Sequence, residues 1–121
     1  MLSIPGDPRV SIKEMPRAVP NCGETMTLGV IATVRIKDGQ GKAFETIFAE
    51  QAANVKANEP GNLLYKLFRA RGAADQYVVM EMYTDEAAFE AHRNGAHMAL
   101  TRPRTAPLVE GKTGVTIYDA V

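Results

Sequence analysis

Between Gly41 and Tyr83 the spacing of apolar residues changes once, and the change falls on Asn58-Glu59-Pro60-Gly61. Before this break, Phe44, Ile47, Phe48, Ala52 and Val55 recur at intervals of three and four, one stripe of a helix over roughly Gly41 to Ala57. After it the period is two. Leu63–Arg69 and Gln76–Tyr83 read as strands joined by the loop Gly72-Ala73-Ala74-Asp75, a hairpin. Pro60 presets φ for the first central position of a turn, and Gly61 is expected to take positive φ at the second. The middle of the chain is therefore helix, strand, strand.

The flanks extend the pattern. Leu28, Val30, Ala32, Val34 and Ile36 share one face of a first strand, with Ile31 and Thr33 on the other, and Asp38-Gly39 ends it. Asp85 and Glu86 place negative charge where a second helix begins, as its dipole favours. Asn94-Gly95 interrupts that helix. A further helical stretch runs from about Ala96 and is expected to kink or end at Pro103 and Pro107. Thr113 to Tyr118 is a last strand. The order strand–helix–strand–strand–helix–strand predicts an α+β, ferredoxin-like split βαβ domain: a four-stranded antiparallel sheet with helices on one face. In the second strand Leu64, Lys66 and Phe68 face one way and Tyr65, Leu67 and Arg69 the other. In the third, Val78, Met80 and Met82 oppose Tyr77, Val79, Glu81 and Tyr83. Both faces of the sheet are thus apolar and the helices cover one. Apolar surface left in water costs about 25 cal/mol per Å², so a second copy packed on the bare face, a homodimer, is expected.

Residues 1–26 hold four of the seven prolines (Pro5, Pro8, Pro16, Pro20) and read as an extended arm, with a possible edge strand at Val10 and Ile12. The arm is expected to lie across its own domain or a partner subunit, and the compact domain to span 27–121. Fourteen basic and fourteen acidic residues leave no net charge and no basic stripe for phosphates, which argues against nucleic acid. No apolar run approaches a membrane span, and the N-terminus lacks the apolar stretch of a secretory signal. Cys22 is the only cysteine, so an internal disulfide and a cysteine metal cluster are excluded. A cytoplasmic location fits these features.

The chemistry gathers at the end of the Glu59–His97 block. His92 and His97 are the only histidines, and imidazole takes or gives protons near neutrality. Glu81 sits mid-strand among apolar residues, where a half-buried carboxylate has a raised pKa and can orient a histidine; the bland alternative is an ion pair with Arg69 or Lys66. Tyr83 and Asn62 can hold a substrate oxygen, although Asn62 equally suits a turn. Met80, Met82, Phe68 and Phe89 read first as core. The two histidines are five apart across Gly95, not the three or four of helical ligand pairs, and no third ligand stands out, so no metal is expected.

The Glu-Pro-Gly-Asn-Leu turn, the Glu81-x-Tyr83-x-Asp85-Glu86 helix entry and the Ala91-His92…His97 ending, with this strand order, resemble the antibiotic biosynthesis monooxygenase superfamily, the dimeric α/β-barrel group, over about Met26 to Tyr118. The resemblance implies a dimer that acts on a small molecule. Its aromatic-polyketide branch oxidises phenols with O2 and no cofactor, using an Asn, a Trp and a Tyr; Val79, Tyr83 and Phe89 align there and retain none of them. Its haem-degrading branch uses an Asn, a His and a Trp, but this chain has no Trp and Thr33 or a neighbour stands at the Asn position. The isomerase branch that processes phospho-autoinducer-2 shares the turn, Glu81, Tyr83, Asp85-Glu86, His92 and His97. The expectation is a cofactor-independent monooxygenase of a small phenol or quinol. His92 or His97 would be the base and Glu81 its orienter, with Tyr83, Asn62, Tyr65 and Phe89 against the substrate. An isomerase of small hydroxyketones and a non-catalytic binding protein are the alternatives.

Overall fold

A computed structural model describes residues 27–121 of the protein. The expectations for the arm, including the edge strand at Val10 and Ile12 and the setting of Cys22, lie outside these residues. The elements are β1 (Leu28–Arg35), α1 (Gly41–Asn58), β2 (Asn62–Arg69), β3 (Gln76–Tyr83), α2 (Glu86–Arg93), α3 (Ala96–Thr105), a 3-10 turn (Ala106–Leu108) and β4 (Gly114–Asp119). The four strands form one sheet in the order β2-β3-β1-β4, with every neighbouring pair antiparallel. This is the expected α+β, ferredoxin-like arrangement.

The period-two faces divide as the alternation requires. Leu28, Val30 and Val34 of β1, Ile36 just after it, and Tyr77, Val79, Glu81 and Tyr83 of β3 are buried beneath the helices. They pack into two clusters. Leu28, Val30, Tyr83 and Phe89 form one, and Val34, Ile36, Phe44 and Tyr77 the other, the latter flanked by Leu67, Leu108 and Val109. On the opposite face Leu64, Phe68, Met80, Met82 and Tyr118 lie exposed. Helix α1 buries Phe44, Phe48 and Val55 and, on the same stripe, the polar Gln51. Asp85 caps α2, its Oδ1 accepting from the Ala88 N–H at 2.8 Å. Pro103 sits inside α3, and the helix runs two residues beyond it before tightening into the 3-10 turn that carries Pro107.

Gly61 does not take the positive φ expected of it; Gly39, Gly72 and Gly111 are the glycines that do among the described residues. It is needed for space instead. A Cβ at Gly61 would lie 2.5 Å from Ala88 Cβ and 3.1 Å from Thr84 Oγ1. The turn is closed by Asn62 N–H donating to Glu59 O at 3.1 Å, so helix α2 docks directly on the turn that carries Glu59. A bulge between Asn62 and Leu64 then starts the edge strand β2 and leaves Leu63 outside the register.

Candidate active site

The end of α1, the end of α2 and the start of α3 meet over the Tyr83 end of β3. Glu59 follows the last residue of α1, where its N–H still bonds Val55 O at 2.9 Å, so the helix aims its side chain inward. His92 lies in the last turn of α2, one turn after Phe89, and both are buried. Gly95 breaks the chain into α3 and brings His97 back toward the same point. His92 Nδ1 lies 2.9 Å from Glu59 Oε2 and 3.1 Å from Oε1, and His97 Nε2 contacts the same Oε2. A carboxylate only accepts, so each of these nitrogens carries the hydrogen and donates. That leaves His92 Nε2 as the free base position, 3.9 Å from Glu81 Oε1. Glu81 in turn accepts from the Tyr83 hydroxyl at 2.7 Å.

Burial sets the protonation of this row. It pushes the Glu81 carboxyl up to about 7, with the Tyr83 hydrogen bond opposing and the Glu59 charge assisting. It holds His92 below the ordinary imidazole value against the upward pull of Glu59. Tyr83 and Tyr65 are both pushed above the usual phenol range, by burial first and then by the Glu81 charge, so both remain phenols. Tyr65 stacks on Phe48 with ring centres 5.0 Å apart and meets His92 at 5.2 Å; Tyr83 meets His92 at 5.4 Å. The Tyr65 hydroxyl accepts from Gln51 Nε2, and Gln51 Oε1 accepts from Thr101. The imidazole of His92 is thus held by two aromatic rings and a carboxylate.

His92, Glu81 and Phe89 open onto a pocket of about 480 Å³ walled by Val30, Val115 and Ile117, with Arg93 and Arg102 also in its lining. Val115 and Ile117 lie opposite Ala32 and Val30 in the β1–β4 register, on the helix side of the sheet, yet both are at least half exposed. This pocket is where the row of proton-carrying groups meets apolar walls. Tyr83 backs it from the core, packed on Phe89 at 5.3 Å.

The sequence-based candidates divide. The structure brings His92, His97, Glu81, Tyr83 and Tyr65 together and lines the pocket with Phe89. Asn62 stands at the start of β2, where its Nδ2 donates to Leu64 O at 3.1 Å, the local turn role. Glu81 makes no ion pair with Arg69 or Lys66, because Arg69 pairs with Glu45 at 3.2 Å and Lys66 lies on the far face of the sheet. The carboxylate that directly holds the imidazoles is Glu59, and sequence reasoning passed over it as a turn residue. Gln51 was hidden on an apolar stripe; a polar residue at a stripe position was its only signal. Glu59 with His92 Nδ1 and His97 Nε2 is also the one set among the described residues that places three ligand-type atoms within 4.8 Å of one another. Glu59 is thus the third ligand-type residue that the sequence did not offer beside the two histidines.

Comparison with known proteins follows this geometry. The family model for antibiotic biosynthesis monooxygenases matches residues 27–104. The crystal structure of a candidate antibiotic biosynthesis monooxygenase from Caulobacter crescentus is 32% identical, with a TM-score of 0.77 over 80% of this chain and 92% of that one. One from Nitrosomonas europaea, 19% identical, shares the fold with a TM-score of 0.76 over 81% and 93%. A conserved protein from Methanosarcina mazei, 17% identical, does so at 0.72 over 78% and 92%. The family match takes in β1 through most of α3, and so every residue of the histidine–carboxylate cluster. The chain belongs to the antibiotic biosynthesis monooxygenase family.

Proposed function

We propose that this protein oxidises a small phenol or quinol with O2, using its own side chains and no cofactor. The observation that carries this reading is the pocket beside β4. A base nitrogen, His92 Nε2, and a carboxyl pushed up to about 7, Glu81, stand at one end of a space walled by Val30, Phe89, Val115 and Ile117, with Arg93 and Arg102 also in its lining. A phenolic hydroxyl placed there loses its proton to His92, and the resulting anion gives up an electron to O2 more readily than the phenol does. Overall, a substrate CH2 carbon, in its keto form, becomes C=O. One atom of O2 supplies the new oxygen, the other leaves as water with both hydrogens, and the carbon provides all four electrons. Glu59 orients the base, and the Tyr65 and Tyr83 rings fix its plane.

The test is O2 consumption with a panel of dihydroxynaphthalenes, anthrones and simple quinols, measured against autoxidation. Saturable, protein-dependent uptake is expected, reduced about 100-fold or more in a His92→Ala variant, the scale of general-base catalysis. Uptake unchanged by that substitution would remove His92 from the reaction. The same geometry favours a second reading, isomerisation of a hydroxyketone. An acid and a base stand 3.9 Å apart on one wall, as proton removal at one carbon and return at its neighbour require. Turnover that persists without O2 marks that reading.

We also infer that the protein works as a homodimer paired through the bare sheet face. Among the described residues no helix covers Leu64, Phe68, Met80 and Met82, and each is more than a third exposed. A Phe68→Glu substitution sets a charge into this face without touching the site. It is expected to halve the mass seen by light scattering. An unchanged dimer mass would place the contact elsewhere.

A further inference from the structure

Three elements bring three donor atoms to one point. Glu59 comes from the turn after α1, His92 from the end of α2 and His97 from the start of α3, and His92 Nδ1, His97 Nε2 and a Glu59 oxygen lie within 4.8 Å of one another. Two imidazole nitrogens and a carboxylate are the donors of one kind of open zinc site, in which three side chains hold the ion and a fourth position is left to water. The donors are sheltered: the His92 and Glu59 side chains are 6% exposed and that of His97 12%. They are still within reach of solvent. Glu59 and His97 line a groove of about 760 Å³ among the end of α1, α2 and α3, walled by small residues such as Gly61, Ala88 and Ala91, which offers an ion its way in and water for the fourth position. An ion about 2.1 Å from each donor spaces the donors roughly 3.4 Å apart. His92 Nδ1 lies 2.9 Å from Glu59 Oε2 and 3.1 Å from Oε1, so at this pair the carboxylate has to draw back by only about half an ångström.

We propose that Glu59, His92 and His97 form a binding site for one divalent cation of the zinc class, and that the bound ion turns His92 Nε2 from a proton acceptor into a donor. Mixed nitrogen and oxygen donors favour such an ion over Mg2+ or Ca2+, which take oxygen ligands. The ion takes the lone pairs of His92 Nδ1 and His97 Nε2, the nitrogens that otherwise hold hydrogens bonded to Glu59. A ligating imidazole keeps its hydrogen on the other ring nitrogen and offers it to an outer carboxylate, carbonyl or water. For His92 that nitrogen is Nε2, and Glu81 Oε1 stands 3.9 Å from it. The outer partner that a metal-bound histidine needs is thus at hand, and the rings of Tyr65 and Tyr83 pack against the same imidazole and fix its orientation. Binding does not rest on the oxygenase reading; only its consequence does, because a hydrogen held at Nε2 leaves no base for a phenol. Cation binding and phenol oxidation are therefore alternatives at one histidine.

Co2+ is the probe, because it enters zinc sites and colours them. The full-length protein, first stripped with a chelator, is expected to bind one Co2+ per chain with the intense visible bands of a four-coordinate site, and Zn2+ should displace it. His97→Gln and Glu59→Gln are each expected to weaken Co2+ binding by at least about 100-fold, the upper end of what losing an outer partner costs. Cys22→Ser should leave the bands intact, which separates this site from one built on the thiol. Circular dichroism shows which variants fold, and either folded variant decides the matter. The wild type also decides it by proton NMR, since His92 and His97 are the only histidines and bound Co2+ should shift the ring signals of both. No bands at millimolar Co2+, bands undiminished in a folded variant, or ring signals that stay in place would overturn the site. With Zn2+ bound, nitrogen NMR should show the hydrogen of His92 on Nε2, and a hydrogen still on Nδ1 would overturn the switch. None of these readouts needs turnover. A site without O2 uptake rejects the oxygenase reading alone, and uptake without a site rejects this inference alone.

Discussion

Glu59→Gln is expected to cost about 3 kcal/mol of stability, the scale seen when one partner is removed from a buried charge-assisted pair. The Glu59 and His92 side chains are each only 6% exposed, and His97 is 12% exposed, so water cannot stand in for the lost oxygen. A glutamine keeps one acceptor and replaces the other with an NH2 donor. Two imidazole N–H groups then compete for one oxygen, and one of them faces a donor. Because these donors come from α2 and α3 while Glu59 closes α1, the loss is felt at the junction of three helices. The exposed Glu50–Arg104 pair, at 2.7 Å, is the contrast: Glu50→Ala should leave stability near the wild type. Urea unfolding of the two variants beside the wild type makes the comparison. Glu59→Gln indistinguishable from Glu50→Ala would mean that neither histidine depends on this carboxylate.

That prediction concerns a residue the sequence disguised, and the reason is physical. Strand faces and helix stripes were legible because period two and period 3.6 survive any rearrangement of partners. The buried set Tyr77, Val79, Glu81, Tyr83 and the bare set Met80, Met82 follow from alternation alone. His92 and His97 stood out as the only residues of their kind. Glu59 did not, because Asn-Glu-Pro-Gly explains itself as a helix stop, and nothing local says that such a stop will point its side chain at residues more than thirty positions away. Gly61 shows the same limit. A glycine after proline reads as a turn requirement, whereas the approach of Ala88 is what demands it. The pocket was equally out of reach, since it exists because β4 pairs with β1 and, among the described residues, no helix lies over Val115 and Ile117.

Raising the pH should weaken the wild-type fold relative to a Glu81→Gln variant, with the gap opening between about pH 4.5 and about 7. Burial pushes the folded-state carboxyl from 4.5 up to about 7. Between those values the unfolded chain releases this proton while the folded one retains it. The folded state binds more protons, and its stability falls as pH rises. At about 1.4 kcal/mol per pH unit the full effect is on the order of 3 kcal/mol. His92 acts with the opposite sign: held below 6.5 by burial, it removes stability as pH falls through that value. The wild-type curve alone therefore mixes two slopes, but both proteins carry His92, so their difference isolates Glu81. Glutamine keeps an oxygen to accept the Tyr83 hydroxyl, now bonded at 2.7 Å, and carries no charge to desolvate. Unfolding free energies from pH 4 to 8 measure the gap, and a gap that stays constant would mean the carboxyl titrates as though exposed. The outcome also bears on function. A destabilising carboxyl at the pocket wall is what proton chemistry near neutrality requires. If Glu81→Gln is more stable at pH 8 but turns over more slowly, the strain belongs to the reaction. If it is more stable and equally active, Glu81 has no part in moving the substrate's proton, and His92 alone carries it.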